Sequence, residues 1–275
     1  MTIAIIILCV LLGLMLLWIL MLGCRNGHEA WKTLRQYRYA HRGLHDKPQI
    51  PENSLAAFQR AVDRGFGAEL DVHLMKDGKL AVIHDSNLKR VAGADVCIED
   101  LTAEDLKDYP LEESSETIPL LDQVLELFEG KTPLIIEIKV AGNNAAPLFE
   151  TLARRLDSYK GDYCVESFDP RAVLWFKKHR PQTCRGQLAE NFFRSGDNHL
   201  PWIMKRIGTD LLTSFLTRPD FIAYKFEDRN GLSLRLLRRL RRPTEVSWTI
   251  RTQKDLEQAE KEGKLVIFEK FVPEA

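Results

Sequence analysis

Cysteine is scarce and dispersed: Cys9, Cys24, Cys97, Cys164 and Cys184 are the five in 275 residues, and no two form a C-x-x-C pair. That excludes a disulfide framework and a cysteine zinc site, and it fits free thiols in a reducing compartment. An excess of charge is missing too. Lys plus Arg and Asp plus Glu each number 39, and the pI is near 7.1. Nothing in that balance points to nucleic acid as a partner. A glycine-rich phosphate loop of either nucleotide-binding type is absent, which counts against an open doubly wound sheet. The last absence is local: residues 1–24 carry no charge at all.

That uncharged run is rich in Ile, Leu, Val and Met. About 20 apolar residues cross a bilayer core as a helix, so it is long enough. A cleaved secretory signal would start with basic residues, and here none precedes the apolar run. Leu22-Gly23-Cys24 has the look of a lipoprotein site, but the same missing start argues against it. The expected organisation is a transmembrane anchor over 1–24, a basic connector over 25–36 and one catalytic domain over 37–275. Arg25, Lys32, Arg35, Arg38 and Arg42 all follow the span. The positive-inside rule then expects a single-pass protein of the cell membrane with its domain on the cytoplasmic side.

Beyond the anchor, residues 38–42 read as a short strand. A helix follows, with Ser54 as its cap, Leu55, Phe58, Ala61 and Val62 as its apolar stripe, and Gly65 as its stop. Residues 68–75 and 80–84 read as two strands joined by Lys76-Asp77-Gly78-Lys79, an Asp-Gly hairpin signal. Helices are expected over 100–109 and 119–128, and a buried strand over 134–140. Strands at 163–168, 185–189, 221–226, 246–250 and 265–268 then alternate with helices at 171–179, 232–240 and 254–262. Repeated units of this length, in about 250 residues, predict a (β/α)8 TIM barrel preceded by one transmembrane helix.

Ionisable residues recur at the ends of these apolar strands, where such a barrel keeps its chemistry. Glu69 and Asp71 lie two apart and so share a face; Glu137 and Lys139 repeat the pattern on another strand. Three carboxylates converging from two strands suit one hard divalent cation, Mg2+ or Ca2+. The alternative is a set of structural ion pairs such as Glu137 with Lys139. His41 and His84 each sit at a strand end beside a charged neighbour and could divide acid and base work near neutral pH. His73 shares the parity of Glu69 and Asp71 and could line the barrel interior; it is placed behind the residues that do the chemistry. Arg42 and Lys139 on the same rim suit an anion, with phosphate the default. Trp248 reads either as core or as an apolar wall for substrate. Glu52-Asn53 reads as a capping turn. The arginines of residues 234–242 read as a solvated helix face, or else as a patch for anionic lipid.

His41-Arg42-Gly43, Pro51-Glu52-Asn53-Ser54, Glu69-Leu70-Asp71-Val72 with Lys76-Asp77-Gly78, and Ile83-His84-Asp85 come in that order. Glu137-Ile138-Lys139, Ser167-Phe168 and Trp248-Thr249 complete the series. In order and rough spacing the set resembles the glycerophosphodiester phosphodiesterase family, from about His41 to Trp248. The resemblance implies a TIM barrel that hydrolyses phosphodiesters with one divalent metal. It implies Glu69, Asp71 and Glu137 as metal ligands, His41 and His84 as the acid/base pair, and Arg42 and Lys139 as phosphate holders. In the family the glycerol 2-hydroxyl is thought to act as the internal nucleophile, giving a cyclic phosphate that water opens. Two departures are visible: Arg251 stands where Asn often follows Trp-Thr-x, and residues 264–269 lack the usual Gly-x-Asp ending. Both are expected to touch the substrate end of the pocket only.

The resulting expectation is hydrolysis of glycerophosphodiesters to glycerol 3-phosphate and an alcohol. The substrate would be a small-molecule or lysolipid phosphodiester, with the membrane met through the N-terminal helix. A lysophospholipase D acting on membrane lipid is one alternative, suggested by the anchor. An inactive, membrane-tethered binding module is the other.

Overall fold

Ser54 shows how local chemistry sets the architecture. Its hydroxyl accepts the Ala57 amide at 3.1 Å and caps the first outer helix, which packs Ala57, Phe58 and Ala61 inward. Helix and following strand form the unit that the chain repeats. The computed structural model describes residues 2–196 and 200–274. In chain order it begins with α1 (Thr2–Met21), α2 (Trp31–Leu34), β1 (Tyr39–His41), α3 (Leu55–Asp63), β2 (Gly67–Leu74) and β3 (Leu80–Val82). There follow α4 (Lys89–Ala92), α5 (Leu121–Phe128), β4 (Leu134–Ile138), α6 (Ala145–Asp157), β5 (Tyr163–Ser167), α7 (Pro170–His179) and β6 (Arg185–Ala189). The chain continues with α8 (Trp202–Thr209), α9 (Ser214–Thr217), β7 (Phe221–Lys225), α10 (Leu232–Arg241), β8 (Thr244–Ile250), α11 (Gln253–Lys261) and β9 (Leu265–Phe268).

The sheet order is β1-β9-β8-β7-β6-β5-β4-β2-β3, and β1 also pairs with β2. Eight parallel strands therefore close on themselves into a TIM barrel. β3 is the exception, antiparallel to the end of β2 across the Asp-Gly turn. Closure is fixed by two registers, His41 opposite Glu69 and Ala40 opposite Phe268. Alternate residues of the strands pack outward on the helices, in a layer that includes Phe58, Leu70, Phe128 and Ile136.

Some elements differ from the sequence expectation. No α-helix forms over 100–109; the segment makes short 3-10 turns at Ile98–Asp100 and Asp105–Asp108. The Asp105 carboxylate accepts both the amide and the hydroxyl of Thr102, closing a tight turn. Leu101, Leu106 and Leu111 recur every five residues, which gives no helical face, and they pack instead in a separate cluster under β3. Helix α6 was not anticipated, although Leu148, Phe149, Leu152, Ala153 and Leu156 carry the helical spacing. Helices α8 and α9, between β6 and β7, were also missed. His84 lies in the loop two residues past β3 and does not end a strand.

α1 is 20 residues long, has no buried residue and is apolar enough to cross a membrane. Residues 25–36 fold against the barrel: Trp31 packs edge-on against Phe221 at 5.0 Å, and Arg25 pairs with the buried Asp220.

Candidate active site

The carboxyl ends of the barrel strands gather the candidate residues through register alone. Asp71 on β2 lies opposite Glu137 on β4, and Glu137 lies opposite Glu166 on β5. Glu69 lies opposite His41. All four acids point into the barrel and are buried. Oxygen atoms of Glu69, Asp71 and Glu137 come within 4.8 Å of one another. Lys139 reaches back from the end of β4, 2.8 Å from Glu137 and 3.1 Å from Asp71.

The turn after β1 is built to meet this cluster. Arg42 takes a left-handed conformation (φ 54°), and its amide donates to Glu69 Oε2 at 3.1 Å. Gly43 follows at φ 78°, where a Cβ would come within 2.9 Å of Ala57, so only glycine fits. Asn53, also left-handed, donates its amide nitrogen to Asp71 Oδ2 at 2.9 Å. The Arg42 guanidinium spans Glu52 at 2.8 Å and Asp71 at 3.4 Å.

Two histidines face one another's territory across this cluster, and each is tied through Nδ1 to a carboxylate. His41 Nδ1 donates to Glu269 Oε2 at 2.7 Å, which leaves Nε2 directed to Glu69 at 3.8 Å. His84 Nδ1 lies 2.6 Å from Asp85, and Asp85 is held in turn by Arg90. His73 stands behind, between Glu99 at 2.6 Å and the His84 carbonyl at 3.2 Å, and does not line the cavity that its parity with Glu69 and Asp71 suggested. His41, His84, Glu69, Glu137, Arg42 and Trp248 all line one cavity of about 150 Å3. Trp248 forms its apolar wall, edge-on to Phe168 at 5.5 Å.

The electrostatics follow from burial. Burial and the charges of Asp71 and Glu137 push Glu69 well above the usual carboxylate range. Burial acts the same way on Asp71, but Lys139, His84 and Arg42 outweigh it and hold Asp71 well below that range. Burial raises Glu137 despite Lys139, and raises Glu166 further, beside Glu137 and Asp71. Burial also lowers His41 to about 4, against the opposing pull of Glu269. Four acids meet two cations, Arg42 and Lys139, so the cluster is short of positive charge.

That donor set fits a hard divalent cation. Carboxylate oxygens are its preferred ligands, and the buried Asn53 Oδ1 and Glu166 Oε2 lack hydrogen-bond partners. Glu69, Asp71 and Glu137 could hold such an ion together.

Several members of this constellation were not singled out from sequence. Glu166 interrupts an apolar strand, the same signal that marked Glu69 and Glu137. Glu52, read as a capping residue, is buried among Arg42, Lys47 and Arg90. Glu269 and Arg251 were expected at the substrate end only. They pair with each other at 2.7 Å, and Glu269 also holds His41.

A family model described as the glycerophosphoryl diester phosphodiesterase family matches residues 41–199. A glycerophosphodiester phosphodiesterase of Bacillus altitudinis is 42% identical over 176 residues, 60% of this chain and 71% of that protein. A lysophospholipase D of Rattus norvegicus is 38% identical over 125 residues, 41% of this chain but only 38% of that protein. An Oleispira antarctica phosphodiesterase, solved with the product sn-glycerol-3-phosphate, shares the fold at a TM-score of 0.72 and 20% identity. That match covers 89% of this chain and 95% of the solved one.

Proposed function

This chain belongs to the glycerophosphoryl diester phosphodiesterase family, and we propose that it hydrolyses a glycerophosphodiester to glycerol 3-phosphate and an alcohol. One observation carries the reading: Glu69 and Glu137 of the cation-fitting carboxylate cluster line the same cavity as two carboxylate-tied histidines. Glu69, Asp71 and Glu137 would hold a divalent cation, Mg2+ or Ca2+, which when bound would neutralise charge on the phosphoryl oxygens and lower the pKa of the attacking hydroxyl. Arg42 and Lys139 draw the phosphate to this rim and orient it. Trp248 walls the apolar side of the substrate.

With Nδ1 engaged by Glu269, His41 presents a bare Nε2 beside Glu69 and takes the proton of the attacking glycerol 2-hydroxyl; the alcohol leaves, and water then opens the cyclic phosphate to glycerol 3-phosphate. His84 is more open, its side chain 32% exposed against 14% for His41. On this reading the more open His84, oriented by Asp85, protonates the leaving oxygen. Turnover of glycerophosphocholine tests the reading, with and without added divalent cation. No product under any metal condition would overturn it.

A second reading, lysophospholipase D activity, is favoured by the similarity to the Rattus norvegicus protein and by the apolar helix α1. Lysophosphatidylcholine offered beside glycerophosphocholine separates the two. We further read residues 1–24 as an anchor in the cell membrane, 25–36 as the segment that joins it to the barrel, and 37–275 as the catalytic domain. The basic residues Arg25, Lys32, Arg35 and Arg38 after the span support a barrel on the cytoplasmic side.

A further inference from the structure

Large apolar side chains crowd one corner of the barrel outside the catalytic cavity. At the start of α8, Trp202 is 68% exposed, Ile203 55% and Met204 48%. Phe193, in the loop after β6, is exposed too, with its ring 6.4 Å from that of Trp202. Single exposed apolar residues are ordinary; four together mark a contact surface. Arg194, Lys205 and Arg206 border them. Apolar residues with tryptophan, bordered by basic side chains, are what an interfacial helix presents to a lipid headgroup layer.

The position of α1 identifies the occupant. Its end is fixed to the barrel: Leu22 is buried among Leu211, Ile222 and Leu234, and its carbonyl accepts from Arg241 Nε at 3.4 Å. Gly23 sits so close to Ser214 that a Cβ would meet that carbonyl at 3.2 Å. The last two turns of α1 share a cleft with α8: Leu14, Leu17, Trp18 and Met21 on one side, Arg206 and Asp210 on the other. Trp202 lies four residues before Arg206, roughly 6 Å along the helix. A bilayer that receives α1 therefore meets α8 as well.

Beneath α8 lies a mostly apolar cavity of about 480 Å3, lined by Phe192, Met204, Ile207 and Leu211. Its other walls include Phe168 and Leu188, which also line the catalytic cavity. The helix that would touch lipid thus roofs an apolar space bordering the reaction site. Lipid is a better match for that arrangement than a protein partner.

We propose that the start of α8, with Phe193, docks in the headgroup layer of the bilayer that α1 enters, and holds the catalytic rim against the membrane. The proposal rests on reading α1 as a membrane span. The test uses the full chain in phosphatidylcholine–phosphatidylglycerol vesicles whose acyl chains carry bromine, a contact quencher of tryptophan. Trp202→Phe and Trp18→Phe should each remove part of the quenched emission. Ile203→Asp should weaken the quenching of Trp202 while turnover of soluble glycerophosphocholine stays within twofold of wild type. If Trp18→Phe removes quenching and Trp202→Phe does not, the docking is overturned and the span stands. If neither does, the span reading falls with it. An unquenched Trp202 in a chain that is dimeric in the vesicle would give this face to a second copy and also overturn the proposal.

Discussion

His41 Nδ1 and Glu269 Oε2 lie 2.7 Å apart, joining the end of β1 to the residue after β9. Glu269 is shared with Arg251 at 2.7 Å, so the two positions that depart from the family pattern form one unit that holds a histidine ring. A fixed Nδ1–H leaves Nε2 free as acceptor. Glu269→Ala should lower kcat by about 10- to 100-fold, less than loss of a general base, which costs on the order of 10²–10⁴. KM should change little. Steady-state kinetics check this; an unchanged kcat would show that the ring needs no such partner.

His41→Ala and His84→Ala should each cut turnover by roughly 10²–10⁴-fold while the circular dichroism spectrum stays that of the barrel. His73→Ala should cost far less activity, because His73 touches Glu99 and the His84 backbone and is outside the catalytic cavity. Equal losses at all three positions would mean that the acid/base pair is misassigned.

Exhaustive chelation should abolish activity, and Mg2+ or Ca2+ should restore it. Stability offers a second readout. Binding to the folded state alone stabilises it by RT ln(1 + [L]/Kd), about 2.7 kcal/mol at a hundredfold excess over Kd, so the melting temperature should rise with added cation. Glu137→Gln should blunt both responses. Full activity and an unmoved melting curve after chelation would remove the metal from the mechanism.

Glu52, which shares Arg42 with Asp71, offers a pH test. It is buried, which would raise its pKa, yet Arg90, Arg42 and Lys47 hold it well below the usual carboxylate range. A depressed folded-state pKa contributes stability that is present above the unfolded value, near 4.3, and lost as pH falls below it. Glu52→Gln should therefore be most destabilising at neutral pH, by about 1–3 kcal/mol, since it removes a carboxylate acceptor from Arg42 and from the more open Lys47 and Arg90. The gap from wild type should narrow below about pH 4. Denaturant titrations at pH 7 and pH 3.5 measure it, and a gap that stays constant would contradict the assignment.

A phosphatase reporter fused after Ala275 should be inactive if the barrel lies on the cytoplasmic side. Activity that depends on export would place it outside.

The sequence by itself determined the barrel, because strand–helix units of regular length leave few ways to bury apolar strands on both faces. It also marked Glu69, Asp71, Glu137 and His41 as candidates, because an ionisable group in an apolar strand is a local signal; His84 was marked by the same reading, although it lies in the loop past β3. Lys139 was legible for the same reason. Tertiary structure decided the rest. That Glu269 holds His41, that Asn53 holds Asp71, and that Glu52 gathers three cations depends on loops brought together only by closure of β1 against β2 and β9. The expected helix over 100–109 failed because side-chain hydrogen bonds and five-residue apolar spacing favoured short turns. The contact between α1 and α8 was invisible for a related reason. Residues nearly 200 positions apart meet there, and neither segment carries a local pattern that names the other.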